Sequence, residues 1–402
     1  MSLTNRMGVT NPTSQRSPTV GYRIEMGEDA RDKFIDGACA SIFQLAGHTD
    51  LMRAAQRHPA IGGQLAAVPL DPGEFAGAGL VDLARRSLTR LGIPPPKTPG
   101  RGDEEIIERA LTFRLGAQTS SDFTILLETA VNRLFLGAYA MAPVTWRRFC
   151  GVKPVADFRP SGFYRAGSLG VLDTLTEAGA VRHKPLPDGE KATITPSTKA
   201  NIVSLSRRAI ANDDIGAFQN LAVQLGDAAA YSVEADVYAL LGLNSGLGPT
   251  QTDAQPFFHA NRANIGATGA MSATTWDSAS GIMSAQRDPS KNQLLELAPA
   301  IWLGPAALKA SAYALNRASG PNPSQGLLKD VVTTSQLTGT RHYFFADPAA
   351  YPTFAVGFIG GREAPMIDSR VAKFRDGLQL KITFDYGVGV LDARTAVTCA
   401  GA

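Results

Sequence analysis

The chain has 402 residues, 44% of them apolar and 19% charged, with a net charge of +3. That balance suits a globular protein with a sizeable core, and its length suggests two to three domains or subdomains. Near-neutrality argues against the dense basic face of a dedicated nucleic-acid binder, while leaving room for weak contact with packaged nucleic acid. The 40 glycines and 25 prolines call for many turns and long connections. Cys39, Cys150 and Cys399 lie far apart and are odd in number, which fits free thiols in a cytosolic chain. The first residues contain no apolar stretch of the secretory kind. No apolar run reaches the ~18 residues that a membrane span needs.

In chain order, residues 1–26 read as a polar, flexible lead. The segment 28–47 places Phe34, Ala38, Ile42 and Leu45 at helical spacing. A loop region follows over 58–79. Residues 80–92 read as a helix closed by Gly92, and the Pro-rich 93–102 as a linker. A third amphipathic helix over 103–116 carries acidic residues in its first turn. Residues 119–143 predict a longer helix with Leu126, Ala130, Leu134 and Ala138 as its buried stripe, Ser120 or Ser121 as cap and Pro143 at its end. From 157 to about 200 the chain turns polar, with turn signals at Ala178-Gly179 and Pro187-Asp188-Gly189. That pattern reads as a long exposed β-hairpin. Residues 200–210 read as a half-buried strand around Ile202 and Leu205.

Asn212, Asp213 and Asp214 pose a choice between a carboxylate site and a helix start. Ile215, Phe218, Ala222, Leu225, Ala229, Val233 and Val237 follow at steps of three and four, so the start of a long helix is the reading adopted. Asn212 or Asp213 would cap it, and the next carboxylate would meet the positive end of the helix dipole. Gly246 and Gly248 mark its stop. Further on, 272–287 predicts a helix, and Ala300–Leu303 a strand that enters a helix through Gly304-Pro305. Residues 341–347 and 353–361 predict short strands. Residues 376–392 read as a strand pair in which Leu378, Leu380, Ile382 and Phe384 alternate with Gln379, Lys381 and Thr383.

Chemistry is absent at the level of motifs. There is no GxSxG elbow, phosphate loop, GxGxxG fingerprint or HExxH pair. His48, His58, His183, His259 and His342 are scattered without ligand spacing. Cys150 would need a histidine partner that sequence does not place. The doublets Arg85-Arg86, Arg147-Arg148 and Arg207-Arg208 read as solvated faces, with bridging between subunits as the second reading. The expectation is a structural protein, not an enzyme, with no catalytic residue, metal or cofactor.

Four stretches in this order resemble a phage major capsid protein of the HK97 fold, in the Mu gpT-like or protease-fused head subunit group. They are TSSDFTILLETAVNRLFLGAY, SRRAIANDDIGAFQNLAVQLGDAAAYSVEADVYALLGLN, LAPAIWLGPAAL and GGREAPMIDSRVAKFRDGLQLKITFDYGVGVLD. The resemblance implies an α+β fold. Residues 1–118 would be an N-terminal helical arm or scaffolding-type segment, retained or cleaved, and 119–156 an arm helix. Residues 157–200 would be the extended E-loop, 201–250 the P-domain with its spine helix, 251–350 the A-domain, and 351–402 the return strands and C-terminus. It implies self-assembly into hexamers and pentamers, an icosahedral shell around double-stranded DNA, and location in the virion after assembly in the host cytoplasm. Portal, scaffold, protease and decoration proteins are the further partners it implies, with no membrane. Lys184, Lys191 and Lys199 lie where some relatives cross-link, though no local pattern marks them. The alternatives are a non-viral compartment shell of the same fold, or a hydrolase or maturation protease with an unrecognised site.

Overall fold

The computed structural model describes residues 30–58, 61–94, 102–112, 122–169, 189–206, 215–319, 328–371 and 377–401, with residues 172 and 179. It is a mixed α+β chain whose helices come first and whose strands dominate the second half.

Six helices open the described chain: α1 (Ala30–Leu45), α2 (Thr49–Ala55), α3 (Gly62–Leu65), α4 (Leu80–Arg90), α5 (Gly102–Thr112) and α6 (Asp122–Met141). The α1 stripe of Phe34, Ala38 and Ile42 is buried, but Leu45, in the last turn, is exposed. α2 and α3 occupy ground that sequence periodicity leaves as loop or unassigned. Each is too short to show a repeat, and such helices depend on packing for stability; Met52 and Ala55 of α2 and Leu65 of α3 supply it.

α6 holds this layer together. Leu126, Ala130 and Leu134 are buried as expected, and so are Leu127, Val131 and Phe135 beside them. A helix that is apolar all round must be covered all round. On one side, α1, α2, α4 and α5 lie against it. A Cβ at Gly137 would sit 2.8 Å from Leu51 Cδ2 and 2.9 Å from Met52 Sδ, so glycine lets α2 come close. Arg133 of α6 pairs with Asp36 of α1 at 2.6 Å.

The other side of α6 meets the long helix α7 (Ile215–Gly246). A Cβ at Gly226 would fall 2.5 Å from the Phe135 carbonyl oxygen, so this approach too requires glycine. Ala222, Leu225, Ala229, Val233, Val237 and Leu241 form the buried stripe of α7. Leu243, Asn244 and Ser245 leave the helical conformation, and Asn244 and Ser245 have φ of 51° and 59°. The helix therefore stops just before the predicted Gly246, in a left-handed turn that asparagine tolerates. Asn212, Asp213 and Asp214, the expected caps, lie outside the described residues.

Eleven strands are described: β1 (Cys150–Val155), β2 (Ser161–Arg165), β3 (Glu190–Ile194), β4 (Ser197–Ser206), β5 (Ile301–Pro305), β6 (Asp330–Thr334), β7 (His342–Phe345), β8 (Phe354–Ile359), β9 (Met366–Val371), β10 (Gly377–Val390) and β11 (Ala396–Cys399). The first sheet runs β1-β8-β10-β4, with β9 also on β10. β1 and β8 are parallel; β10 is antiparallel to β8, β4 and β9. The region read as a strand pair is one strand, β10, of 14 residues. Its glycines serve close approach. A Cβ at Gly387 would lie 2.5 Å from the Thr195 carbonyl oxygen, and one at Gly389 2.8 Å from Ile194 Cγ1. Leu380, Ile382 and Phe384 face inward as expected. Ile202 of β4 does not: it is 64% exposed.

The second sheet runs β11-β7-β5-β6 and has apolar side chains on both faces. Ile301, Leu303, Tyr343 and Phe345 join the main core with α6 and α7. Trp302, Val331, Phe344 and Val397 face a second core under α8 (Ala273–Ser284) and α9 (Lys309–Ser319), with Trp276, Met283 and Ala312. Ser272 caps α8, its side chain accepting from the Thr275 amide, and Thr275 returns the bond in a capping box. The last strand, β11, belongs to this second sheet, so the end of the chain crosses from one sheet to the other.

Candidate assembly surfaces and the ribbon root

The sequence motifs offered as chemistry disperse in the fold. No group of three or more His, Cys, Asp or Glu that could hold a metal occurs among the described residues. The three cysteines are buried. Burial pushes the Cys39 thiol up to about 12 and that of Cys399 to about 11, and carries Cys150 well above its ordinary value. A thiol held protonated is a poor nucleophile. His342 is fully buried, while His48, His58 and His259 are half-buried on separate elements.

The arginine doublets make bonds within the chain. Arg85 bonds Asp82 at 2.9 Å, and Arg86 lies over the Phe75 ring at 5.2 Å. Arg147 pairs with Glu363 at 2.6 Å, and Arg148 with Asp330. Arg207 and Arg208 lie outside the described residues. Of the lysines weighed for cross-linking, Lys199 is held by Asp236 at 2.6 Å and Lys191 lies over the Tyr164 ring at 5.6 Å; Lys184 is outside the described residues.

One buried carboxylate is structural. Glu234 of α7 accepts from the backbone amides of Thr145 at 2.8 Å and Trp146 at 3.1 Å, and from the Thr145 hydroxyl at 2.6 Å. It fastens the turn between α6 and β1 to the long helix, and leaves none of its oxygens for catalysis. A cavity of about 130 Å³ beside it is lined by His58, Tyr139, Trp146, Arg147 and Ala230, with no nucleophile and base facing each other.

What the fold leaves outward is apolar and projecting. β2 and β3 form a separate two-stranded antiparallel ribbon, with Ser161 opposite Ile194 and Arg165 opposite Glu190. Tyr164 is 75% exposed and Leu172, farther along, 94% exposed; Phe158 and Leu169 are exposed as well. A short two-stranded ribbon is marginal in water by itself, and clustered exposed apolar side chains mark contact surfaces. Most of the connection between β2 and β3, including Arg182 and Asp188, lies outside the described residues.

The root of the ribbon is fastened by charge. Arg394 makes two bonds to Glu190 of β3, one to each carboxylate oxygen, at 2.7 and 2.5 Å. The same guanidinium reaches Asp392 at 3.2 Å, and Asp392 also pairs with Arg165 of β2. The order Glu190–Arg394–Asp392–Arg165 alternates in sign and joins both limbs of the ribbon to the turn before β11. The hydrogen bonds from Arg394 hold the Glu190 carboxyl below its ordinary range. Burial, together with the neighbouring Arg394, lowers Arg165. Sequence reasoning missed this constellation because its two halves, Arg165 with Glu190 and Asp392 with Arg394, lie more than 200 positions apart.

A family model described as phage capsid protein matches residues 189–399, more than half of the chain. No curated protein matches the sequence. Among solved structures, one from Mycobacterium phage Adephagia is 13% identical, with a TM-score of 0.41, over 64% of this chain and 89% of that one. The capsid of the cyanophage P-SCSP1u is 14% identical, with a TM-score of 0.43, over 78% and 98%. The capsid of an empty GTA particle is 13% identical, with a TM-score of 0.44, over 64% and 90%.

Proposed function

The chain belongs to the phage capsid protein family, and from that premise we propose that its copies associate as hexamers and pentamers closing an icosahedral shell around double-stranded DNA. A member of this family is a structural major capsid protein of the virion shell, with no enzymatic role. The layout of the HK97 type gives each region a task. The β2–β3 ribbon takes the place of the E-loop. α7 with the first sheet serves as the P-domain. The second sheet with α8 and α9 serves as the A-domain, whose loops meet at the capsomer axis. Packaged DNA contacts the inner surface without sequence preference, and portal, scaffold and decoration proteins are further partners. Assembly takes place in the host cytoplasm.

The observation that supports this reading is the ribbon. Its exposed Tyr164, Leu169 and Leu172 offer apolar surface to another molecule. A contact between one subunit's ribbon and a different surface of its neighbour is heterologous, and such contacts make rings when the rotation closes. Replacing residues 170–188 with a short Gly-Ser turn tests it. The variant should fold and stay as free subunits or small oligomers in sedimentation, with no closed particles under negative stain. Normal shells from it would reject the ribbon as the assembly arm.

A further inference from the structure

We propose that Asp288, with Ser290 and Asn292, is a positioning clasp that fixes the direction in which the ribbon leaves the body, and that shell closure depends on it. The inference rests on the reading of the ribbon as the assembly arm.

The clasp is a tight loop between α8 and β5, remote in sequence from the ribbon. The Asp288 and Gln293 backbones close it at 3.0 Å, and Lys291 takes φ of 59° at its turn. It grips one residue, Ser168, three positions beyond the end of β2. The Ser168 amide donates to Asp288 Oδ2 at 2.6 Å. The Ser168 carbonyl accepts from Asn292 Nδ2 at 2.9 Å and lies 3.0 Å from Ser290 Oγ. Both backbone groups of one ribbon residue are thus taken up by side chains of another element. Asp288 is itself buried, and its second oxygen accepts from the Gln293 amide at 2.9 Å.

The energetic logic concerns the carboxylate. Burial alone would raise its proton affinity, but bonds from the Ser290 hydroxyl and the Ser168 and Gln293 amides outweigh that and hold it well below the usual range. The group stays ionised, and charge-assisted bonds to amides are the strong ones. The clasp and the charged root hold the ribbon at different points. Arg165 and Glu190 fix its two strands to the turn before β11, and Ser168 fixes the outgoing limb to the α8–β5 loop. Two fastenings on separate elements fix the described limbs on either side of the connection. A ring of subunits needs limbs so fixed, because each ribbon must reach the same place on its neighbour.

The full-length protein tests this through Asp288→Ala, the double variant Ser290→Ala with Asn292→Ala, Asp288→Asn, and the ribbon replacement described above. Thermal unfolding reports the fold, amide hydrogen exchange reports the clasp, and sedimentation with negative-stain microscopy reports the shells. Asp288→Ala should stay folded with a lowered unfolding temperature, speed exchange at the Ser168 amide about tenfold or more, and lower the yield of closed shells about tenfold. Asp288→Asn keeps an acceptor and should recover part of that yield. The double variant frees only the carbonyl and should lower yield less; it decides the matter if Asp288→Ala does not fold. Faster exchange at Ser168 with shells of normal size and yield would overturn the proposal. So would unchanged exchange in Asp288→Ala. If the ribbon replacement blocks shells while the clasp variants do not, only the clasp inference falls. If the ribbon replacement itself gives normal shells, the assembly-arm reading falls and the clasp inference with it.

Discussion

The N-terminal helices and the ribbon have opposite ways of being held. α1, α2, α4 and α5 bury their apolar side chains on α6, and Phe34, Met52, Leu83 and Ile107 share one core with Tyr386 at the far end of the chain. The ribbon fully buries only Ile194, against Gly389 of β10, and is otherwise tied by charged groups, leaving Tyr164 and Leu172 in solvent. Short helices separated by Pro- and Gly-rich segments lead one to expect packing on neighbouring subunits, or removal. Instead the described helices cover α6 of their own chain. The contrast separates stability from association: apolar area within the chain sustains the fold, and exposed area is kept for other copies.

The strongest way to break this contrast is to delete residues 1–118. That strips the cover from one side of α6, and the expected result is an insoluble or unfolded chain, read from soluble fraction and circular dichroism. A soluble body with native strand signal would show that the helical layer is dispensable. Leu134→Ala should follow, at a cost of about 2–5 kcal/mol, because a fully buried leucine on a helix covered on both sides leaves a cavity; denaturant unfolding measures it. Gly226→Ala places a methyl within 2.5 Å of a backbone oxygen, so the helices must part, at about 1–3 kcal/mol by the same measurement.

A smaller effect concerns acid. Burial lowers the proton affinity of His342, the Thr340 carbonyl opposes this, and Arg341 beside it lowers it further. His342 faces Cys399 across the ladder, lies tilted against Trp302 and edge-on to Phe344, and its Nε2 has no partner among the described residues. The unfolded chain therefore takes up the proton more readily than the folded one, so stability is full above the ordinary value of 6.5 and falls as pH drops below it. Unfolding temperatures between neutral and acidic pH should show a decline that His342→Phe flattens. Least of all, Tyr164→Ala should change subunit stability by less than about 0.5 kcal/mol, yet lower particle yield. Equal loss of stability and assembly would mean that the ribbon is part of the core.

Much of the body was legible because it rests on local periodicity. The α6 and α7 stripes, the Ser272 start of α8 and the alternation of Leu380, Ile382 and Phe384 all follow from side-chain spacing. α2 was illegible because seven residues show no repeat. Residues 376–392 form one strand where a pair is expected, because alternation shows the two faces of a strand but not whether it turns back. Ile202 was read as half-buried because alternation does not reveal which face a neighbour covers. The clasp and the charged root had no signal at all. Asp288, Asp392 and Arg394 are ordinary loop residues until the fold brings them to Ser168, Arg165 and Glu190.

The parallel pairing of β1 with β8 has a consequence for synthesis. Cys150 lies opposite Phe354, 204 positions later, and the Tyr139 hydroxyl donates to the Glu363 carbonyl at 2.7 Å. Contacts so distant in sequence form slowly and late. On the ribosome, α1 to α6 emerge long before the strands that complete their core, and their unpaired apolar sides are open to chaperones in the interval. β11 then fills the edge of the second sheet after the other strands of both sheets have been made. A nascent chain that stops short of Asp392 and Arg394 lacks the turn that anchors the ribbon root, so competence to associate waits on those residues.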